Sequence, residues 1–266
     1  MKLEGANVLL TGASGGIGVA IARALHARGA SLKLTGRRLQ ALEQLAGELG
    51  AEALVADLSK RGDVARLIEA AGDADVLIAN AALPASGHLL ELEQTQIDTM
   101  LDVNLRAPIE LARAVAPNMV ARGRGHIVLI SSLSGKAAAP ATAIYSATKF
   151  GLRGFAHAAR ADLRSSGVGV SVVLPGFIRE AGMFADTGVT LPRGVGTSSP
   201  EEVAAAVVVA IERDRAELSV APVGMRVGAS IAAVAPELAA RVQRLMGGAA
   251  LARTVSDRQR PKRPEH

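Results

Sequence analysis

Apolar runs of strand length recur along this chain, at residues 6–11, 31–35, 53–56, 76–80, 127–130, 168–174 and 218–221, and longer segments of helical period separate them. Strands joined through helices cannot close as hairpins and must cross over, so they pair in parallel. The runs V-L-L, V-L-I-A and I-V-L-I are apolar almost throughout, as strands covered on both faces must be. The pattern predicts an α/β fold: a doubly wound parallel sheet of about seven strands with helices on both faces.

No linker or internal repeat divides the first 220 residues, so residues 1–222 are expected to form one domain. Within it, residues 176–199 are rich in Gly, Pro and Thr and lack a clean period. An irregular insertion after a parallel strand is either a lid over a functional site or a disordered loop, and the lid is the expectation here. Residues 223–252 read as one or two apolar helices broken near Pro236, an extension that could cover the sheet edge, a subunit contact or a membrane surface, with packing favoured because a strong basic face is missing. Residues 253–266, with Arg258, Arg260, Lys262 and Arg263 among prolines, read as a disordered basic tail.

The net charge of +5 invites a nucleic-acid role, but acids accompany the bases along the helix-like segments, so no nucleic-acid partner is expected. With no cysteine and five singly scattered histidines, neither a disulfide nor a metal centre is expected. No run of 18 apolar residues spans a membrane and no leader pattern opens the chain, so a cytoplasmic location is expected.

V-L-L-T-G-A-S-G-G-I-G-V-A-I-A-R-A-L sets a glycine turn between the first strand and an amphipathic helix. Gly12, Gly16 and Gly18 permit a tight turn and close approach of backbone to a phosphate, and the helix start offers free N–H groups to it. In this strand–turn–helix setting the turn points to dinucleotide binding.

The spacing T-G-x-x-x-G-x-G, the segment Asn80-Ala81-Ala82 after the fourth strand, and Ser132, Tyr145 and Lys149 together resemble the short-chain dehydrogenase/reductase family, in its compact single-domain subgroup. The likeness covers residues 3 to about 222. It implies a Rossmann-type domain holding NAD or NADP beside the active site, in which Ser14, Gly15, Gly16, Ile17, Gly18, Asp57, Leu58, Asn80, Ala81, Pro175, Gly176 and Ile178 line the cofactor. Two departures stand out. Ala82 replaces a family glycine, and no threonine follows Pro175-Gly176, where Ile178-Arg179-Glu180 stands instead. The second strand ends in Gly36-Arg37-Arg38 with no carboxylate to receive a ribose 2'-hydroxyl, so Arg37 and Arg38 favour NADP, with NAD possible. Gly15 stands where NADP-using relatives often carry another basic residue.

Tyr145 is the only tyrosine of the chain, with Lys149 four residues on. Positions i and i+4 of a helix share a face. By itself the pair admits a core tyrosine beside a solvated lysine. If functional, the ammonium stabilises the phenolate by roughly 3 kcal/mol at about 5 Å, on the order of 2 pKa units. The resemblance makes Tyr145 the proton donor or acceptor. It makes Lys149 the residue that lowers the phenol's pKa and holds the nicotinamide ribose, Ser132 the residue that positions the substrate oxygen, and Asn104 the support of a proton relay through water. Ser131 and Ser134 lie at the wrong separation, though Ser134 could line the site.

Met183, Phe184 and Leu191 in the lid point to an apolar carbonyl or alcohol substrate. The competing classes are a nicotinamide-binding scaffold without turnover and an epimerase or dehydratase. The first would tolerate loss of Tyr145 or Lys149, and the second normally needs a longer carboxy-terminal domain. A homodimer or homotetramer is implied by the resemblance.

Overall fold

The computed structural model describes residues 1–84, 87–191, 195–245 and 248–259. Seven parallel strands form one sheet: β1 (Asn7–Thr11), β2 (Ser31–Gly36), β3 (Glu52–Val55), β4 (Val76–Ala79), β5 (Gly125–Ile130), β6 (Val168–Pro175) and β7 (Glu217–Val220), in the order β3-β2-β1-β4-β5-β6-β7. Every pairing is parallel, as the crossover argument requires.

Among the described residues, seven helices cross between or follow the strands. They are α1 (Gly16–His26), α2 (Leu39–Leu49), α3 (Arg61–Ala70), α4 (Gln94–Leu101), α5 (Ala107–Ala121), α6 (Ala143–Leu163) and α7 (Pro200–Glu212). The period of two along each strand divides the core. Val8 and Leu10 of β1 pack with α1, α2 and α7 on one face, while Leu9 joins α3, α5 and α6 on the other. Such a side chain contributes roughly 1.5–3 kcal/mol when fully buried, so a one-residue slip in register, which would send each set into the opposite core, would mispack both.

The strand order reverses between β1 and β4. The chain leaves these neighbours for opposite faces, and a crevice opens at their carboxyl ends. Asn80 spans it: its side-chain nitrogen donates to the carbonyls of Thr11 and Gly12 at 3.1 Å each. The backbone nitrogens of Asn80 and Ala81 both donate to Thr11 Oγ1 at 3.0 Å. The alanine at position 82 keeps a negative φ, so its Cβ fits there without backbone strain.

Beyond Pro222 lie, among the described residues, three further helices, α8 (Val223–Val234), α9 (Pro236–Leu245) and α10 (Gly248–Gln259). The last corrects an expectation, because residues 253–259 are helical and not a disordered tail. Val255, Ser256 and Gln259 find buried or half-buried places there, which a solvated tail would not offer. Arg260, Lys262 and Arg263 lie outside the described residues, as do residues 192–194 of the lid.

Glu217, at the start of β7, gathers three bases at the far side of α6. Its carboxylate meets Arg153 at 2.6 Å, Lys136 at 2.5 Å and His157 at 2.9 Å. Burial opposes its ionisation, but the hydrogen bonds from Arg153, Lys136 and His157 outweigh that and bring its pKa from 4.5 to about 2. Since Lys136 closes the turn after β5, this cluster ties the Ser132 loop and α6 to β7. Glu217→Gln should therefore lower the unfolding free energy by about 2 kcal/mol at neutral pH. A carboxylate depressed in the folded state stabilises above its unfolded pKa. The gap between wild type and variant, read by urea unfolding, should close as pH falls from 4.5 toward about 2.

Candidate active site

The glycine turn is shaped by contacts that no side chain could share. Gly12 has φ +66°, and a Cβ on it would lie 2.7 Å from the Cα of Ala81; one on Gly18 would lie 2.2 Å from the carbonyl oxygen of Gly12. Helix α1 starts after Gly15 with no side-chain cap and no acid in its first turn, so its leading N–H groups remain open to an anion.

A cavity of about 530 Å³ lies over this turn. Ser14, Gly15, Gly16, Ile17 and Gly18 line it with Gly12, together with Arg37, Arg38, Asp57, Leu58, Asn80 and Ala81. Arg38 donates to the carbonyl of Ser14, whereas Arg37 is exposed and makes no ion pair among the described residues. Asp57 lines the cavity and also closes a turn, its Oδ1 accepting from the nitrogen and hydroxyl of Ser59 at 3.0 and 2.8 Å.

Among the described residues, the buried side-chain atoms that lack a hydrogen-bond partner are Thr35 Oγ1 and Gln259 Oε1, and both residues line this cavity. Unpartnered buried polar atoms are costly. Their gathering around one cleft, beside an uncapped helix start and a free guanidinium, fits a long ligand that carries phosphate and hydrogen-bonding groups. A nicotinamide dinucleotide is such a ligand.

A second cavity of about 230 Å³ adjoins the first and shares Ile17, Asn80, Gly182, Met183 and Gln259 with it. Ser132, Tyr145 and Lys149 converge on it, and Pro175, Gly176, Ile178 and Phe184 complete its walls with Ser134. Tyr145 and Lys149 share one face of α6, the lysine nitrogen lying 5.6 Å from the centre of the phenol ring. Lys149 is 2% exposed, and its ammonium donates to the carbonyl of Ile130 at 3.0 Å. Ser131, set aside as a catalytic candidate, clamps this arrangement from behind by donating to the carbonyl of Lys149 at 2.9 Å. Ser132 accepts from the nitrogen of Ser134 at 3.1 Å and hydrogen-bonds the phenol.

Burial dominates the electrostatics of this pair. Burial raises the phenol of Tyr145 above its ordinary value, only partly opposed by the hydrogen bond with Ser132. Burial also lowers Lys149 from 10.5 to about 8. A Coulomb estimate at constant dielectric omits the loss of water around both groups, and here that loss dominates.

Two further candidates stand away from both cavities. Asn104 sits in a π-helical stretch, Asp102–Arg106, and both ends of its amide are occupied by Leu83: it accepts from Leu83 N at 2.7 Å and donates to Leu83 O at 3.0 Å. Its side chain braces the loop after β4 and lines neither cavity. Leu191 also lines neither, while Met183 and Phe184 do. Phe184 tilts against Phe177 with ring centres 4.6 Å apart. Residues that local sequence signals did not single out also line the inner cavity: Thr142 ahead of α6, Met225 of α8, and Val255 and Gln259 of α10.

A buried ammonium whose pKa falls from 10.5 to about 8 destabilises the folded state at neutral pH by about 3 kcal/mol. Lys149→Met removes that cost and forfeits one hydrogen bond of about 1 kcal/mol. The variant should unfold with about 1–2 kcal/mol more free energy at pH 7, and its advantage should vanish as pH rises from about 8 to 10.5, where wild-type lysine is neutral in both states. Urea titrations across that range check both.

The model of short chain dehydrogenases matches residues 6–190. The ketoacyl reductase HetN of Nostoc sp. is 38% identical over 227 residues, covering 82% of this chain and 79% of that protein. Among solved structures, a short-chain dehydrogenase from Sphingobium yanoikuyae in complex with NADPH is 31% identical with a TM-score of 0.76, covering 91% of this chain and 95% of the other. The bulky-bulky ketone specific alcohol dehydrogenase from Comamonas testosteroni is 28% identical with a TM-score of 0.73, covering 91% and 94%. With the glycine turn, the seven-stranded parallel sheet and these likenesses in agreement, the chain belongs to the short-chain dehydrogenase family of oxidoreductases.

Proposed function

We propose that the protein uses NADP to interconvert a carbonyl and an alcohol on an apolar substrate, with Tyr145 exchanging the proton with the substrate oxygen. The observation that carries this reading is the meeting of Ser132, Tyr145 and Lys149 at a cavity continuous with the one over the glycine turn. The likeness to proteins named for ketoacyl and ketone chemistry supports a carbonyl substrate.

When bound, the nicotinamide supplies or receives the hydride. Ser132 holds the substrate oxygen beside the phenol, so that the proton crosses a preformed hydrogen bond. Lys149, fixed by the carbonyl of Ile130, keeps a positive charge near the ring and offsets charge developing on the phenolate. Leu133, Phe177, Met183, Phe184 and Met225 form an apolar wall that excludes water and favours hydrocarbon on either side of the reacting carbon. The Asn104 amide holds the neighbouring loop, so support of a water relay would fall to groups other than its side chain.

Arg37, exposed at the rim without an ion pair among the described residues, supports NADP over NAD because a 2'-phosphate would complete its hydrogen bonding. The NADPH complex of the Sphingobium relative agrees. The reading includes self-association as a dimer or tetramer, supported by exposed Val223, Val227, Ile231 and Val234 on α8; a monomer in sedimentation would remove that part. Among the described residues no helix is long and apolar enough to cross a membrane, and action in the cytoplasm is part of the proposal.

A panel of hydrophobic ketones assayed with NADPH and NADH tests the whole. Tyr145→Phe should lower kcat on the order of a thousandfold while leaving cofactor affinity little changed. Full turnover by that variant, or a preference for charged sugars, would overturn the assignment. Arg37→Ala should weaken NADPH about 30-fold without weakening NADH.

A further inference from the structure

We propose that Gln259, the final residue of α10, is the hydrogen-bond acceptor for the amino group of the nicotinamide carboxamide, so that the C-terminal helix completes the cofactor site from outside the sheet. The inference rests on the cofactor reading above and adds a residue from a segment that lies beyond the family match at residues 6–190.

Gln259 is 6% exposed and lines both cavities, placing it at their junction. Its side-chain nitrogen donates to the carbonyl of Met183 at 3.1 Å. That carbonyl can only accept, so the amide nitrogen must face it, and the orientation of the side chain is fixed by chemistry. The amide oxygen is left buried without a partner among the described residues. An acceptor in this position repels phosphate and calls for a donor on the ligand.

The wall around it narrows the choice of donor. The segment after β6 lies directly on the glycine turn, since a Cβ on Gly16 would come within 2.0 Å of the Cβ of Ala181. Where this segment borders the inner cavity its side chains are apolar: Phe177, Ile178, Ala181 and Met183. Glu180 lines neither cavity, and its carboxylate pairs with Arg179 at 2.9 Å. Gln259 is thus the polar side chain tied to this wall. The adenine amino group and the free hydroxyl of the adenosine ribose would lie beyond the phosphate turn, toward Asp57 and Leu58, and the ribose hydroxyls of the nicotinamide half would be held by Tyr145 and Lys149 in the proposed site. The carboxamide amino group is the donor left for the opposite wall.

Calorimetric titration of the full chain with three ligands tests this. NADP+ carries the carboxamide, its 3-acetylpyridine analogue replaces the amino group by methyl, and 2'-phospho-ADP-ribose lacks the ring. Wild type should bind NADP+ about tenfold more tightly than the acetylpyridine analogue. In Gln259→Met, which keeps length and helix propensity, the two should bind alike, with the affinity for 2'-phospho-ADP-ribose unchanged. If the variant weakens all three ligands by one factor, Gln259 only braces the lid and the proposal falls. If it leaves the tenfold ratio intact, the carboxamide is held elsewhere and the proposal also falls. Failure of wild type to bind any of the three would overturn the cofactor reading itself, and this inference with it.

Discussion

Neighbouring parallel strands that send their chains to opposite faces must part at their carboxyl ends, and the cavity over the glycine turn is built around the gap between β1 and β4. The gap is held open to a fixed width by Asn80, which bonds the carbonyls of Thr11 and Gly12, and by Thr11, whose hydroxyl receives two backbone nitrogens from the opposite strand end. Backbone meets backbone there so closely that Gly12 has no room for a methyl group. The open start of α1 borders the same space, as do Arg37 and the hydroxyl of Thr35, which lack an ion pair and a hydrogen-bond partner respectively among the described residues.

The catalytic candidates are placed by a second clamp, at the end of β5. Ile130 receives the ammonium of Lys149, and the adjoining Ser131 bonds that residue's carbonyl, so one lysine is fixed at both its side chain and its backbone. Holding a charge in this way destabilises the fold, since burial alone brings Lys149 to about 8. Tyr145 responds to the same desolvation in the opposite sense. The protein therefore keeps two groups that both resist ionisation at short range from each other, an arrangement that core packing alone would not favour and proton transfer can use.

Several parts of this architecture could be read directly from the chain. Continuous apolar runs such as Val76–Ala79 identify doubly covered strands, because a strand buried on both faces has no polar side to show. The spacing between Tyr145 and Lys149 carries over into shared geometry since both lie on one unbroken helix. Asn104 is different: its residue type fits a relay, but the use of both ends of its amide by Leu83 depends on how a π-helical stretch meets a loop 21 residues earlier. Leu191 likewise looks like a pocket residue by hydrophobicity and lines neither cavity. Met225, Val255 and Gln259 carry no local signal at all, and they reach the site only because the C-terminal helices fold back over it.

Local chemistry thus settled what depends on near neighbours: strand and helix periods, the glycine turn, and a phenol four residues from an ammonium. These follow from sterics and spacing that hold wherever the segment sits. Tertiary packing decided which groups lose water and which remain unpaired among the described residues, including the direction in which Tyr145 shifts, the occupation of Asn104 and the buried oxygen of Gln259. Desolvation is a property of everything that surrounds a group, and most of what surrounds these side chains arrives from distant parts of the chain.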